Sequence, residues 1–151
     1  MKRVGPKTNI LKVSANLKKA LLSAGVLEKL SPQQALFGVD DENRGVFLVV
    51  KGKVLMYVQD YPRLDRTFSA GSLLGVPATF TGHPYSLGAT AVAAVEVVHV
   101  GKQAFLDLMS QQSDLCREAT DLLSSEVTFI QAALAERRRS KTLAHAELAA
   151  S

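Results

Sequence analysis

The sequence predicts a mainly β domain, a sandwich or a small barrel, with helices on either side of it. Short apolar runs separated by turn residues occupy the middle of the chain, between residues 36 and 101. Helical periodicity precedes them over residues 8–30 and returns from residue 103 onward. With 151 residues and 47% hydrophobic content, the chain can form one packed domain.

The N-terminal stretch is predicted to be helical because its apolar residues recur at spacings of three and four. Those residues are Leu17, Ala20, Leu21 and Ala24. Gly25 is expected to end a first helix, and Ser31-Pro32 interrupts the chain before the β region.

The strands are predicted from β-branched, apolar runs between turn residues. The turn residues include the cluster at positions 40–45, then Gly52, and finally Gly101. An interruption is expected at Tyr61-Pro62-Arg63. The predicted strands cover residues 46–50, 54–58, 66–68 and, in two parts, 85–100.

The C-terminal third begins with a short helix packed through Phe105, Leu106 and Met109, and a long amphipathic helix follows, ending near Arg139. At about 1.5 Å per residue, such a helix reaches beyond one small β domain. We expect a second copy of the chain to cover the excess apolar surface of this helix. The alternative is that part of that surface packs against the chain's own N-terminal helices. The apolar seam has nearly heptad spacing and consists of Cys116, Ala119, Leu123, Val127, Ile130 and Leu134.

The stretch best suited to a small ligand runs from residue 68 to residue 94. It contains a turn at Ala70-Gly71, a short helical turn opened by Pro77 and a break at Gly82-His83-Pro84. From residue 71 to residue 100 the sequence has no lysine or arginine, so His83 and His99 are the only side chains there that can carry a positive charge, and His99 belongs to an apolar strand. A strongly anionic ligand would therefore find little compensating charge in this stretch.

These stretches resemble the cyclic-nucleotide-binding domain superfamily, and in particular the sensor domains of Crp/Fnr-type transcription regulators. The resemblance covers residues 27–139 and is most specific in the first strand pair. The matching positions are Asp41, Gly45, Phe47, Gly52 and Val54, followed by Gly71 and Gly75. The resemblance implies a double-stranded β-helix of the jelly-roll type, with a long C-terminal dimerisation helix. The expected units are a helical arm (1–30), a β-roll sensor domain (31–109), the long helix (110–139) and a tail (140–151).

The resemblance also implies a phosphate-binding cassette, in which backbone amides and an arginine hold the cyclic phosphate and a glutamate holds the ribose. Here Val76 stands at the glutamate position and Tyr85 at the arginine position. Two lost charged hydrogen bonds, at about 1.5–3 kcal/mol each, weaken binding by about two to four orders of magnitude. We therefore expect a more apolar ligand or none. The implied ligand-binding residues are Gly71, Leu74, Gly75, Val76, Pro77, Ala78, Tyr85, Ser86 and Leu87.

Three arginines could restore an anion site if one of them folded into the pocket: Arg44, Arg63 and Arg66. We expect them on turn surfaces instead. The net charge of +4 is concentrated at the ends, since the first twenty residues carry six lysines and arginines and no acid. Basic ends are either solvated or in contact with nucleic acid.

Other chemistries find no support in the sequence. The single cysteine, Cys116, excludes an internal disulfide and a cysteine-held iron–sulfur sensor. The three histidines, His83, His99 and His145, are scattered, so no catalytic metal centre is expected. No nucleophile elbow or phosphate-binding Walker loop is present.

The sequence thus favours a non-enzymatic regulatory module that forms a homodimer through its last helix and holds no certain cofactor. A small-molecule or protein partner fits this prediction. About a dozen residues follow Arg139, too few for a helix-turn-helix, so we expect no sequence-specific DNA binding from this chain. The lack of a long apolar run or signal peptide and the single cysteine indicate a cytoplasmic protein without a membrane span. The alternatives are the sensor part of a Crp/Fnr-type DNA-binding regulator that does bind a cyclic nucleotide, and a small enzyme.

Overall fold

The computed structural model describes residues 12–58 and 65–150. In the last helix, side chains beyond Ser124 are described only at positions 127, 128, 131, 132, 135, 138 and 139. The elements, in chain order, are α1 (Ala15–Ala24), β1 (Val26–Leu30), β2 (Ala35–Phe37), β3 (Val46–Lys51), β4 (Lys53–Tyr57), β5 (Arg66–Ser69), β6 (Leu73–Leu74), α2 (Val76–Thr81), β7 (Gly88–Ala91), β8 (Val95–Val100), α3 (Lys102–Gln111) and α4 (Ser113–Ala150).

The strands form two four-stranded sheets in which the neighbours are antiparallel. The first sheet has the order β1-β8-β3-β6 and the second has the order β2-β7-β4-β5. The expected mainly β architecture with flanking helices is therefore confirmed. The alternation of strands between the two sheets brings segments that are distant in sequence together around one core.

The first sheet is covered on both faces, which explains why β3 is a continuous apolar run instead of an alternating one. Phe47 and Val49 point into the core between the two sheets. Val46 and Leu48 point the other way, into a second core beneath the helices. All four side chains are almost completely buried.

The helices that cover this outer face contribute side chains spaced three or four residues apart. They come from α1, α3 and the first turns of α4, so the two ends of the chain meet on one side of the domain. The buried residues of this layer are Leu17, Leu21, Phe105, Met109, Leu115, Ala119 and Leu122.

The prediction of a helical arm over residues 1–30 is wrong at its C-terminal end. Helix α1 stops at Ala24, and residues 26–30 form strand β1, which pairs with β8. Gly25 ends the helix as expected, with its N–H donating to the carbonyl oxygen of Leu21 at 3.0 Å. Its backbone lies so close to β8 that a Cβ there would come within 2.6 Å of the His99 carbonyl oxygen. Pairing with β8 thus outweighs the helical periodicity predicted over residues 8–30.

The helix was also predicted to start too early. Residues 12–14 precede α1, and Ser14 is its N-cap, since its Oγ accepts a hydrogen bond from the N–H of Leu17 at 3.1 Å. Residues 1–11 lie outside the described part of the chain, as does the interruption predicted at residues 61–63.

Helix α4 continues to Ala150 instead of ending near Arg139. The reason is the composition of residues 140–150, which are rich in alanine and leucine and contain neither glycine nor proline. Residues 140–150 of the predicted tail therefore lie within the bounds of α4. No helix among the described residues is long and apolar enough to cross a membrane.

Candidate ligand-binding site

Helix α2 begins at a glycine whose conformation only glycine adopts readily. Gly75 is the N-cap of this helix and has φ = +89°. A Cβ at this position would lie 3.0 Å from the Gly45 carbonyl oxygen and 3.2 Å from the Tyr85 ring. Pro77 stands in the first turn of the helix, and the hydroxyl of Thr79 donates to the Gly75 carbonyl oxygen at 2.8 Å. Gly75 thus lets α2 start in direct contact with the loop before β3 and with Tyr85.

Tyr85 is held from several directions although it belongs to no strand. Its phenol donates to the carbonyl oxygen of Gly45 at 2.7 Å and accepts from the N–H of Arg44 at 2.9 Å. Its backbone carbonyl accepts from the N–H of Asp40, and its own N–H donates to the carbonyl of Asp41. These bonds tie residue 85 to the loop at 40–45. The return strand therefore starts later than expected, and β7 begins at Gly88.

The Tyr85 ring is buried in the core between the sheets. It is 2% exposed and stacks on Phe37, with ring centroids 3.9 Å apart and planes 14° apart. Burial raises the pKa of the Tyr85 phenol, and this effect exceeds the opposite influence of its hydrogen bond from the Arg44 N–H. The phenol is accordingly a neutral hydrogen-bonding group.

The Arg44 peptide that contacts Tyr85 is fixed on its other side by His99. The carbonyl oxygen of Arg44 lies 2.6 Å from Nε2 of His99, which must donate because a carbonyl only accepts. The imidazole stacks on Phe47 at a centroid distance of 4.7 Å and lies 3.4 Å from a carboxylate oxygen of Glu28. The loop that receives the Tyr85 phenol is therefore anchored to both β1 and β8.

A small cavity lies between Tyr85 and the start of α2. Its volume is about 30 Å³, enough for about one or two water molecules. Ligand pockets in proteins are typically about 300–1,000 Å³. None of the described side chains around it is charged; they are Phe37, Met56, Gly75, Pro77, Ala78, Tyr85, Ser86 and Leu87.

The structure brings six of the nine predicted ligand-binding residues together at this cavity: Gly75, Pro77, Ala78, Tyr85, Ser86 and Leu87. The sequence reasoning missed Phe37 on β2 and Met56 on β4, because these strands reach the cavity only through the pairing of the second sheet. The position of Met56 could have been predicted from β4 itself, because alternate side chains of a strand point to the same face of the sheet.

The other three predicted residues lie elsewhere. Val76 is completely buried in the core beneath the helices, and Leu74 is buried in the core between the sheets. Gly71 lies in the turn between β5 and β6, where its N–H donates to the Val49 carbonyl oxygen at 2.8 Å and its α-carbon faces the Lys12 side chain. Val76 points into the core beneath the helices, and this direction depends on tertiary packing that spacing along the sequence does not reveal.

Comparison with protein families gives one decisive match. Residues 27–112 match the family model described as cyclic nucleotide-binding domain. The chain belongs to the cyclic nucleotide-binding domain family. Comparison with curated proteins gives no match.

Solved structures of similar fold include regulators of this family. One belongs to a cyclic-GMP-dependent signalling pathway that regulates bacterial phytopathogenesis, with a TM-score of 0.70 and 18% identity over 78% of this chain and 95% of that one. A transcriptional regulator from Thermotoga maritima has a TM-score of 0.66 and 15% identity, over 78% and 94% of the two chains. The catabolite activator protein of Thermus thermophilus has a TM-score of 0.56 and 21% identity, over 91% of this chain. This chain spans only 61% of that protein. At these identities the likeness concerns the fold.

In this cyclic nucleotide-binding domain, the described candidates for an anion-binding arginine, Arg44 and Arg66, do not line the cavity. The Arg44 guanidinium donates to the Leu36 carbonyl oxygen and lies 5.5 Å from the centre of the Phe47 ring. Arg66 is exposed on β5 and donates to the Asp65 carbonyl oxygen. His83 is exposed, and Arg63 lies outside the described residues.

The domain has a larger depression on its helical side, about 550 Å³ in volume and open to solvent. Its walls come from α1, from the end of α3 and from the start of α4. The apolar part of the lining consists of Ala20, Ala24, Leu108 and Leu115. It is separate from the cavity at Tyr85. Within the described residues, no group of three or more His, Cys, Asp or Glu side chains is placed to hold a metal ion.

The predicted dimer seam begins inside the domain itself. Ala119 is completely buried in the core beneath the helices, and Cys116 and Leu123 pack against that same core. These positions face the chain's own helical layer, which was the alternative raised by the sequence. Val127 is half-buried, whereas the side chains of Ile130 and Leu134 lie outside the described set. The part of this seam that is left for a second chain therefore begins beyond Leu123.

Proposed function

We propose that this chain is a non-enzymatic regulatory module whose nucleotide site is filled by its own Tyr85 and Phe37, so that it acts without binding cyclic AMP or cyclic GMP. The observation that carries the proposal is the stacked, hydrogen-bonded Tyr85 at the position of the phosphate-binding arginine. A cavity of about 30 Å³ supports it, since a nucleotide needs several hundred.

Opening the site would be costly. Moving the Tyr85 ring aside would leave the N–H of Arg44 and the carbonyl of Gly45 without their present partners. Each unpaired buried group costs about 1–3 kcal/mol. A ligand that binds only the open form loses affinity in proportion to the population of that form, here by about thirtyfold or more.

The uncharged walls add a second barrier. A cyclic phosphate that enters gives up water, and the described residues around the cavity supply no lysine or arginine in return. A charged hydrogen bond contributes about 1.5–3 kcal/mol, and the positions that supply two of them in relatives are valine and tyrosine here. Together the two effects favour dissociation constants in the millimolar range or weaker.

The module is proposed to act as a cytoplasmic homodimer through α4. This helix has 38 residues and is about 57 Å long at about 1.5 Å per residue. Its first turns pack on the domain through Leu115, Ala119 and Leu122. The remainder extends past the domain, and a second copy of α4 supplies a matching apolar surface.

The second candidate is the sensor part of a Crp/Fnr-type DNA-binding regulator that binds a cyclic nucleotide. It is favoured by the likeness to the Thermus thermophilus catabolite activator protein, of which this chain spans 61%. In that case Tyr85 would have to leave the core when the nucleotide binds.

Calorimetric titration with cyclic AMP and cyclic GMP separates the two candidates. The proposed function is supported by an absence of saturable heat up to about 1 mM nucleotide. A dissociation constant of a few micromolar or below would overturn it and favour the second candidate.

A further inference from the structure

Residues 12–14, which we call the strap, run from the β5–β6 turn to helix α4. The side-chain amine of Lys12 lies within hydrogen-bonding distance of oxygen atoms in that turn: Ser69 Oγ at 2.8 Å, the Ala70 carbonyl at 3.1 Å, Ser72 Oγ at 3.2 Å and the Ser69 carbonyl at 3.3 Å. Burial lowers the pKa of this amine. The amine of Lys12 thus contacts four oxygen atoms of a turn that lies more than fifty residues away in the sequence.

The turn is shaped to receive the strap. The N–H of Val13 donates to the carbonyl oxygen of Gly71 at 2.9 Å, and the N–H of Gly71 donates to Val49 at 2.8 Å. Gly71 has φ = +95°, and a Cβ there would come within 3.3 Å of the Lys12 side chain. The strap is therefore connected through Gly71 to the middle of the first sheet.

At the other end of the strap, Ser14 is hydrogen-bonded to helix α4. The N–H and the hydroxyl of Ser14 donate to the two carboxylate oxygens of Glu118, each at 2.6 Å. The same hydroxyl oxygen accepts from the N–H of Leu17 and so caps α1. Hydrogen bonds to a carboxylate are stronger than neutral ones. Ser14 therefore ties the start of α1 to the first part of α4.

We propose that the strap is a mechanical link that couples the β5–β6 turn to helix α4. Lys12 holds the turn, Ser14 holds Glu118, and only Val13 lies between them. Releasing either end lets the other loosen, so a change in the position of α4 reaches the β-roll through residues 12–14. The coupling does not require an occupied nucleotide site.

The test changes one end of the strap and measures the other. Glu118→Ala removes both hydrogen bonds from Ser14 to the carboxylate. Hydrogen exchange of the Val13, Gly71 and Ser72 amides should then accelerate by about tenfold or more, since the loss of one charged hydrogen bond alone corresponds to about tenfold. The matched control is Asp121→Ala, which removes an exposed carboxylate from the next part of the same helix. In the control these amides should exchange as in the parent.

An internal reference separates the strap from a general loss of stability. The amides of Thr79 and Gly82 in and after α2 donate to backbone carbonyls of that helix and have no bond to the strap. They should keep the parent exchange rate in Glu118→Ala. If the Thr79 and Gly82 amides accelerate together with the Gly71 amide, Glu118→Ala has destabilised the whole domain. The test is then repeated with Glu118→Gln, which keeps the side-chain length. The proposal is overturned if the turn amides of Glu118→Gln exchange at the same rate as those of Asp121→Ala.

The reciprocal experiment starts from the turn. Lys12→Met should accelerate exchange of the Cys116 amide, which donates to the Gln112 carbonyl at the start of α4, whereas Lys18→Met on the exposed face of α1 should not. If Lys12→Met changes only amides of the β5–β6 turn, the two ends are independent and the link does not exist.

Discussion

The ring of Tyr85 stacks on the ring of Phe37 at a centroid distance of 3.9 Å, joining the segment after α2 to strand β2. The pair lies beside a cavity of about 30 Å³. The Tyr85 phenol is hydrogen-bonded to the backbone of residues 44 and 45. In our account this tyrosine takes the place of both the arginine and the phosphate that the family fold accommodates.

Removing the Tyr85 hydroxyl should destabilise the domain without opening it. Tyr85→Phe keeps the stacking on Phe37 but leaves the Arg44 N–H and the Gly45 carbonyl without their phenol partner. The expected loss in the free energy of unfolding is about 1–3 kcal/mol, measured by urea denaturation. Tyr57→Phe is the matched control, since Tyr57 is a half-buried phenol on β4. Equal losses in the two variants would contradict the role given to the Tyr85 hydroxyl.

Val76 and Pro77 are neighbours in sequence and differ in surroundings, so the same substitution should have opposite outcomes. Val76→Glu places a carboxylate in the core beneath the helices, where Val76 is 0% exposed. The variant should lose about 3 kcal/mol or more, or fail to fold. Pro77→Glu introduces the same group at the half-exposed rim of the cavity and should remain folded. Thermal unfolding followed by circular dichroism distinguishes them, and a well-folded Val76→Glu would show that residue 76 faces the cavity after all.

The buried phenol predicts a dependence of stability on alkaline pH. Burial raises the folded-state pKa of Tyr85 above its ordinary value of 10.0. Its contribution to stability is therefore complete below the unfolded pKa and is lost as the pH rises through the folded pKa. Above about pH 10, the parent should lose stability more steeply than Tyr85→Phe, in urea titrations at a series of pH values. The lowered pKa of Lys12 acts with the opposite sign, but it is present in both proteins and cancels in the comparison. Parallel pH profiles would contradict the prediction.

The proposed dimer depends on the part of α4 that lies beyond the domain. Val127→Glu should shift the sedimentation coefficient to that of a monomer, because it introduces a charge into the apolar seam. Thr128→Glu changes the adjacent, exposed position of the same helix and should leave the dimer intact. A parent chain that sediments as a monomer at tens of micromolar would remove the dimer from the account.

The sequence predicted the parts of the fold that depend on local pattern. The run at β3, the turn at Gly52 and the short helix after Gly75 follow from β-branched residues, glycine and proline. It failed at residues 26–30, which form β1 only because β8 offers a pairing edge. Pairing between strands that are distant in the sequence cannot be predicted from the spacing of apolar residues within one short segment.

At the candidate site, too, only some of the residues could be predicted from the sequence. The family resemblance implied Tyr85, Ser86 and Leu87 as site residues, but Phe37 and Met56 reach the cavity only through strand pairing within the second sheet. Nor could the sequence reveal that Tyr85 stacks on Phe37 or that Val76 turns away. Side-chain direction at the start of a short helix is set by the packing of the helical layer.

The most direct test of the closed nucleotide site is residue-specific. Two-dimensional nitrogen–proton spectra of the isotope-labelled chain should be recorded while cyclic AMP or cyclic GMP is added to about 1 mM, a concentration at which millimolar binding begins to show. We expect the amide signals of Gly75, Ala78 and Ser86 around the cavity to shift little and to show no approach to saturation. Progressive, saturable shifts of these three signals, together with that of Tyr85, would contradict the account.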